Sequence, residues 1–134
     1  MIYLDSSALL KLVFIEDESE AYRSWHLSRS SSTCISSALI AVEVNRSCRR
    51  ADLGALPFAR QLLAEVDVVP IDESVLGLAG ELADPQLRSL DAIHLASALC
   101  VRATIDSFVT YDRRLAEAAS SAGFAVLTPG AGPA

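Results

Sequence analysis

The segment Ile2-Tyr3-Leu4-Asp5-Ser6-Ser7 changes within a few residues from an apolar strand to the start of a helix. The same change recurs at Val109-Thr110-Tyr111-Asp112-Arg113, and Asp91 lies in the first turn of a third helix, which Ser89 is expected to cap. A fourth acid, Glu43, lies inside another helix among apolar residues. If these elements meet at one edge of a sheet, their four carboxylates converge.

Short apolar segments alternate with helical segments along the chain, which predicts an α/β fold with a mainly parallel sheet. We place five strands at or near residues 2–4, 33–35, 66–71, 107–110 and 124–127. Ligands of such sheets bind outside the carboxyl ends of the strands. Asp5 and Asp112 directly follow strands and therefore belong at that edge, although the strand order is left open.

Length and composition predict one domain over residues 1–134, with residues 129–134 as a flexible tail. The hydrophobic fraction of 51% fits a sheet that is covered on both faces. No apolar run reaches the roughly 18 residues of a membrane span, and the start lacks the pattern of a signal peptide. We therefore expect a cytoplasmic protein without membrane contact. The three cysteines lack zinc-ligand spacing and are expected to be free thiols.

Each acid also has an ordinary structural explanation. Asp5 and Asp112 can simply cap the helices that follow them, and the helix dipole favours Asp91 in a first turn. Glu43 could be solvated and paired with Arg46 or Arg50, although such a pair is worth only a few tenths of a kcal/mol. That gain gives little reason for an acid among apolar residues.

A shared site explains all four acids with one assumption. Carboxylates within about 4–6 Å of each other raise one another's pKa unless a cation neutralises them. Ligation by oxygen alone selects a hard ion, Mg²⁺ or Mn²⁺. Such ions activate water and clamp phosphate oxygens during hydrolysis.

Several segments resemble the PIN-domain nucleases, and within them the toxins of VapBC-type toxin–antitoxin pairs. They are MIYLDSSALL at 1–10, AVEVNR at 41–46, LDAIHLA at 90–96, FVTYDRRL at 108–115 and AGFAVLTP at 122–129. The resemblance covers essentially the whole chain. It implies a three-layer α/β/α sandwich around a mainly parallel five-stranded sheet. It also implies a Mg²⁺- or Mn²⁺-dependent endoribonuclease that is usually a homodimer and is inhibited by a small antitoxin protein.

The resemblance also implies roles for particular residues. Asp5, Glu43 and Asp91 match the core catalytic acids, and Asp112 matches a fourth, more variable acid. On this basis Asp5, Asp91 and Asp112 hold a metal ion, and Glu43 orients the attacking water or completes a second metal site. Cleavage would leave a 5′-phosphate and a 3′-hydroxyl.

Ser6 and Thr110 match the hydroxyl positions that steady the acidic cluster in the family. His94, three residues after Asp91, could act as a general base, but a role in packing or hydrogen bonding is favoured. The remaining candidates are arginines that either contact RNA or a partner or are solvated helix residues: Arg46, Arg50 and Arg113.

The net charge is −6, from 11 basic and 17 acidic residues, which argues against a general nucleic-acid binder. Phosphoaspartyl transfer would need an acid two residues after Asp5, where Ser7 stands. A receiver-type regulator would need a lysine after its last strands, and the only lysine is Lys11. The remaining alternative is a non-catalytic PIN-like module that acts by binding within a protein complex.

Overall fold

Five parallel strands form the central sheet in a computed structural model that describes residues 1–29 and 31–131. Their order across the sheet is β3-β2-β1-β4-β5. The strands are β1 (Ile2–Leu4), β2 (Cys34–Ser37), β3 (Asp67–Val69), β4 (Ser107–Val109) and β5 (Val126–Leu127). All pairings are parallel, as expected for strands joined by helical crossovers.

Helices cover both faces of this sheet. In chain order they are α1 (Ser6–Val13), α2 (Ser19–Ser28), α3 (Ile40–Ala51), α4 (Leu56–Ala64), α5 (Glu73–Glu81), α6 (Ser89–Cys100) and α7 (Arg113–Ser121). Short 3-10 turns lie at Leu53–Ala55 and Arg102–Thr104. None of the helices in the described residues combines the length and the apolar character needed to span a bilayer.

Two separate hydrophobic cores, one on each face of the sheet, define the three layers of the fold. Ile2 and Leu4 of β1 pack into a core that includes residues of α1 to α4, whereas Tyr3 points to a core built with α5, α6 and α7. This division follows from the alternation of side chains along a strand. The expected α/β/α sandwich with a five-stranded parallel sheet is confirmed.

The strand order creates a topological switch point at the centre of the sheet. From β1 the chain winds outward through β2 to β3, and it then returns to place β4 on the other side of β1. Leu4 pairs with Val109, so the residues that follow these two strands leave the sheet side by side. Because a crevice opens where the winding direction reverses, Asp5 and Asp112 flank the natural ligand site of this sheet.

The helix starts agree only in part with the capping expected from the sequence. Asp5 and Asp112 are the N-caps of α1 and α7, each accepting a hydrogen bond from a backbone N–H of the first turn. Ser89 is not a cap: it is the first residue of α6, and the preceding Arg88 makes no capping hydrogen bond through its side chain. Arg88 already provides the extended backbone that precedes a helix, so Ser89 can adopt helical angles.

The segment after β5 makes hydrogen bonds over the residues that the structure describes. The Tyr111 hydroxyl donates a hydrogen bond to the carbonyl oxygen of Pro129 at 2.6 Å, and the Ala131 N–H donates to Thr128 at 3.0 Å. Residues 129–131 of the predicted flexible tail therefore have hydrogen bonds within this segment and to Tyr111, and their flexibility stays a prediction. Residues 132–134, which belong to the same prediction, lie outside the described residues.

Gly130 allows this anchored segment to pass close to α2. Its φ is +85°, and a Cβ atom there would lie 2.7 Å from the Cβ of Ala21. We expect Gly130→Ala to lower the free energy of unfolding by about 1–3 kcal/mol, the cost of a strained backbone conformation. Gly77→Ala is the matched control: Gly77 lies within α5 with open space around it, so alanine there should stabilise by about 0.5–1 kcal/mol. Urea unfolding of both variants measures these changes. Equal changes in the free energy of unfolding would contradict the close approach of Gly130 to α2.

Candidate active site

Asp5 is a buried carboxylate that the protein solvates with hydrogen-bond donors. Its side chain is 4% exposed. Oδ1 accepts hydrogen bonds from Ser7 Oγ at 2.7 Å and from the Ala8 N–H at 3.1 Å, and Oδ2 accepts from Thr110 Oγ1 at 2.8 Å. Such donors partly replace the water that a buried carboxylate loses. The capping role and a site role therefore coexist at this residue.

Thr110 joins the two aspartate junctions. Its hydroxyl donates to Asp5 Oδ2 and accepts a hydrogen bond from the Asp112 N–H at 3.0 Å. Asp112 in turn uses Oδ1 to cap α7 through the Leu115 N–H at 3.0 Å. The predicted contact between Thr110 and the acidic cluster is thus present.

The second hydroxyl on Asp5 belongs to Ser7, not to Ser6 as expected. Ser7 Oγ donates to Asp5 and accepts from the Tyr111 N–H at 2.8 Å, which ties α1 to the segment after β4. Among the hydrogen bonds of the described residues, none joins Ser6 to the cluster. The N-cap carboxylate folds back over the first turn of its helix, and the side chain two residues after the cap lies beside it. Helical geometry rather than residue type distinguishes the two serines.

Glu43 and His94 form a direct contact that the sequence did not reveal. His94 Nε2 lies 2.6 Å from Glu43 Oε1, and His94 Nδ1 lies 2.8 Å from the Tyr3 hydroxyl. Tyr3 and His94 are fully buried, whereas the Glu43 side chain is 21% exposed. The favoured view of His94 as a hydrogen-bonding residue agrees with this contact. Glu43 pairs with His94 instead of Arg46 or Arg50, which explains why an acid occurs on this helix.

Asp91 lies one turn before His94 on α6 and is half-buried. Burial raises its pKa above the ordinary value of 3.8, and the negative charges of Asp112, Asp5 and Glu43 raise it further, against the opposing effect of His94. Asp112, Asp5 and Glu43 therefore lie close enough to Asp91 to affect its ionisation. Hydrogen bonds join Asp5 to Asp112 through Thr110, and Glu43 to His94 one turn after Asp91, whereas a common metal site for all four acids stays a prediction.

Burial also raises the pKa of Asp5, and His94, Ser7, Thr110 and the Ala8 N–H act in the opposite direction. No cationic side chain in the described residues forms an ion pair with Asp5, Asp91 or Asp112. The single lysine, Lys11, is engaged by Glu18 at 2.8 Å and Glu16 at 3.5 Å. The site therefore carries an excess of negative charge.

This donor set suits a hard divalent cation. Within residues 1–29 and 31–131 no three His, Cys, Asp or Glu side chains are gathered as a ready-made metal cage. Mg²⁺ retains several waters and commonly uses only one or two protein carboxylates, so it does not require a complete cage of side chains. Asp5, Asp91 and Asp112 are the residues that could hold the ion, with Glu43 able to contact its waters or a second ion.

The raised pKa values lead to a prediction for the protein in chelator. Between the ordinary value of 3.8 and the raised values, folded Asp5 and Asp91 bind more protons than they do in the unfolded chain. Their contribution to the free energy of unfolding must then rise as the pH falls through this window and decline as the pH rises. Urea unfolding at a series of pH values measures how the free energy of unfolding depends on pH. The unmodified protein should show a steeper dependence than Asp91→Asn, which lacks the contribution of Asp91. Parallel profiles would contradict the prediction.

The three arginine candidates lie on the surface. Arg46 and Arg50 are exposed on α3, where Arg50 donates to Ser47 Oγ at 3.2 Å. Arg113 is exposed at the start of α7 and lines an open groove of about 860 Å³ together with Lys11 and Asp112. Of the four acids, Asp112 alone is among the residues that line this groove. The contact of the three arginines with RNA or a partner stays a prediction.

Comparisons with known proteins agree with this architecture. The chain matches the PIN domain family over residues 2–120. It is 44% identical over 132 residues to Ribonuclease VapC35 of Mycobacterium tuberculosis, covering 97% of this chain and 98% of the relative. It is 41% identical over 134 residues to Ribonuclease VapC47 of the same species, covering 98% of each.

A solved structure shows the same fold at low sequence identity. Mycobacterium tuberculosis VapC20, described as a Sarcin-Ricin loop cleaving toxin, superposes with a TM-score of 0.71 at 20% identity over 96% of this chain and 100% of that one. Because the PIN family model covers residues 2–120 and ribonucleases of the VapC group match nearly the whole chain at more than 40% identity, this chain belongs to the PIN-domain family, in the group of the VapC proteins.

Proposed function

We propose that this protein is a Mg²⁺- or Mn²⁺-dependent endoribonuclease that acts as the toxin of a toxin–antitoxin pair. The observation that supports the proposal is the buried carboxylate of Asp5, which has no cationic partner in the described residues and is joined through Thr110 to Asp112 at the sheet's switch point. That arrangement suits metal-assisted hydrolysis of a phosphodiester. The relatives named ribonucleases support the choice of RNA as the substrate.

In this proposal Asp5, Asp91 and Asp112 hold the metal ion. When bound, the ion neutralises charge on the scissile phosphate and makes a water molecule more acidic. The residues of the chain supply the arrangement: Thr110 and Ser7 hold Asp5, and α7 holds Asp112 through its cap. Glu43 orients the attacking water and can accept its proton. Attack at phosphorus, with the 3′ oxygen leaving and taking up a proton, produces a 5′-phosphate and a 3′-hydroxyl.

The direct test is to map the products. Purified protein is incubated with cellular RNA and Mg²⁺ or Mn²⁺, and the new 5′ ends are sequenced by a method that requires a 5′-phosphate. We expect cuts at a limited set of internal positions. The Asp91→Asn protein, purified identically, controls for contaminating ribonuclease. Shortening from the ends only, or products with cyclic phosphates, would overturn the proposed chemistry.

A small antitoxin is the proposed partner, and the toxin is proposed to act as a homodimer in the cytoplasm. A structural relative, VapBC2 of Rickettsia felis, was solved bound to a DNA fragment from its promoter and has a TM-score of 0.71 at 13% identity over 96% of this chain and 99% of that one. Large apolar side chains are exposed on α3, the following 3-10 turn and α4: Val42, Leu53 and Phe58. Such side chains suit burial by a protein partner.

Co-expression tests the partner. A short open reading frame immediately upstream, if it encodes a small DNA-binding protein, should yield a product that copurifies with this chain and suppresses cleavage. Persistent cleavage in a stable complex would show that the bound protein is not an antitoxin.

A further inference from the structure

The imidazole of His94 is held at both nitrogens in the interior of the protein. Its side chain is 1% exposed. Nδ1 lies 2.8 Å from the Tyr3 hydroxyl and Nε2 lies 2.6 Å from Glu43 Oε1. The chain of contacts runs from the central strand β1 through α6 to α3. It therefore joins the core on one side of the sheet to an acid beside the switch point.

The hydrogen bonds around Tyr3 indicate which ring nitrogen of His94 carries the proton. The Tyr3 oxygen accepts a hydrogen bond from the Ser37 backbone N–H at 3.1 Å. The hydroxyl has a single proton, and among its hydrogen-bond partners in the described residues only His94 Nδ1 can accept it, so we infer that Tyr3 donates and Nδ1 accepts. The hydroxyl of tyrosine is protonated at neutral pH, so Tyr3 has a proton to donate. The ring proton then lies on Nε2, the nitrogen that faces Glu43.

A donor at this position has a clear consequence for Glu43. Glutamate has three rotatable bonds, and at this site the charge of Asp91 repels its carboxylate. The Glu43 side chain has access to solvent and could turn toward it. A short hydrogen bond from a rigid, buried imidazole opposes that motion, because charge-assisted hydrogen bonds are strong and directional.

We propose that Tyr3 and His94 are positioning residues that hold the Glu43 carboxylate at the active site, Tyr3 by fixing the tautomer of His94 and His94 by donating from Nε2. The inference rests on the proposed ribonuclease function. It assigns no contact with RNA to either residue. Tyr3 is thereby part of the active site even though it faces the core.

Two amide substitutions separate the two sides of the ring. The amide of asparagine can occupy the place of Nδ1, and that of glutamine the place of Nε2. His94→Asn therefore keeps a partner for Tyr3 but loses the donor to Glu43, whereas His94→Gln can retain it. We expect His94→Asn to lower kcat by about 10–100-fold, the usual effect of losing a partner of an active-site ligand, with little change in KM for RNA. His94→Gln should recover most of that loss. Equal kcat values for the two variants would overturn the proposal.

Tyr3→Phe tests the hydroxyl with a matched control. Tyr22 is also fully buried, but its hydroxyl has no hydrogen-bond partner among the described residues. Tyr22→Phe makes the same chemical change without breaking a hydrogen bond and should leave kcat unaltered. Tyr3→Phe should lower kcat while both proteins remain folded by urea unfolding. Equal kcat values for the two would contradict a role for the Tyr3 hydroxyl.

A double-mutant cycle separates positioning of Glu43 from a general structural effect. Once Glu43→Gln has removed the carboxylate, His94→Asn should cause little further loss of kcat, because residues that act through one group are not additive. Full additivity would show that His94 acts independently of Glu43.

Nitrogen NMR of the ring gives a readout that does not depend on activity or on bound metal. The chain has only two histidines, His26 and His94, so assignment by a His26→Gln variant is direct. In chelator at neutral pH, His94 should show a protonated Nε2 and an unprotonated Nδ1, and Tyr3→Phe should alter this pattern. A protonated Nδ1 in the unmodified protein would overturn the tautomer assignment.

The two proposals fail differently. If the unmodified protein cuts no RNA, the ribonuclease proposal fails, and NMR still decides the tautomer. If it cuts RNA and His94→Asn cuts equally well, positioning fails and the ribonuclease proposal stands.

Discussion

Asp5→Asn is expected to abolish RNA cleavage while the protein remains folded. Asparagine caps helices about as well as aspartate, so its side-chain oxygen can still accept the Ala8 N–H that begins α1. The substitution removes the negative charge that we assign to metal binding. Loss of an outer partner of a metal ligand typically costs about 10–100-fold, and loss of the ligand itself should exceed that range.

The same substitution should not reduce the stability of the protein in chelator. Burial raises the pKa of Asp5, which shows that the folded protein disfavours the charge at this position. Asparagine is neutral and has nearly the same shape, so it avoids the cost of burying that charge. We expect urea unfolding of Asp5→Asn at neutral pH to occur at the same or a higher denaturant concentration than that of the unmodified protein.

Asp72→Asn is the control for this experiment. Asp72 also follows a strand and caps a helix, and its Oδ1 accepts a hydrogen bond from the Val75 N–H at 3.0 Å. It is exposed and belongs to no acidic cluster in our assignment. Its variant should cut RNA at the normal rate. Near-normal cleavage by Asp5→Asn would remove Asp5 from the active site, and equal losses in both variants would assign the effect to capping.

Removal of divalent cations is the second change with a large expected effect. We expect chelator to reduce cleavage to background, and added Mg²⁺ or Mn²⁺ to restore it. The physical reason is the excess negative charge: in the described residues no basic side chain pairs with Asp5, Asp91 or Asp112. A scissile phosphate would add to that repulsion. Cleavage that persists in chelator would contradict a metal-dependent mechanism.

Binding of the cation should also stabilise the fold. A ligand present at about 100 times its Kd adds about 2.7 kcal/mol to the free energy of unfolding. The midpoint of thermal unfolding should therefore rise with added Mn²⁺ and rise less in Asp5→Asn. Monovalent salt at the same ionic strength controls for screening of the acids, which acts without a bound ion. Equal shifts with both salts would show screening alone.

Much of the fold was predictable because its signals are local. Apolar segments and helix starts alternate along the chain, and the aspartates at those boundaries marked the carboxyl edge of the sheet. The expectation that Asp5, Glu43, Asp91 and Asp112 converge also came from this pattern, and hydrogen bonds through Thr110 join two of them, Asp5 and Asp112. The strand order did not, because it depends on how distant segments pack and not on the residues at any one junction.

Some contacts could not be predicted from the sequence because geometry outweighs residue type. Ser6 and Ser7 are identical residues, and only their positions in the first turn of α1 place Ser7 on Asp5. The segment after β5 ends in glycine, alanine and proline, a composition that favours disorder. The distant Tyr111 hydroxyl nevertheless anchors it at Pro129.

By itself the sequence determined the type of site: acidic residues at strand ends, with oxygen donors suited to a hard cation. The tertiary structure alone decided which side chains support those acids. Tyr3, Glu43 and His94 are far apart in the chain and each has an ordinary local explanation. Their hydrogen bonds exist only because β1, α3 and α6 pack together. Local patterns record propensity and periodicity, whereas a hydrogen bond between distant residues requires the packed coordinates of both.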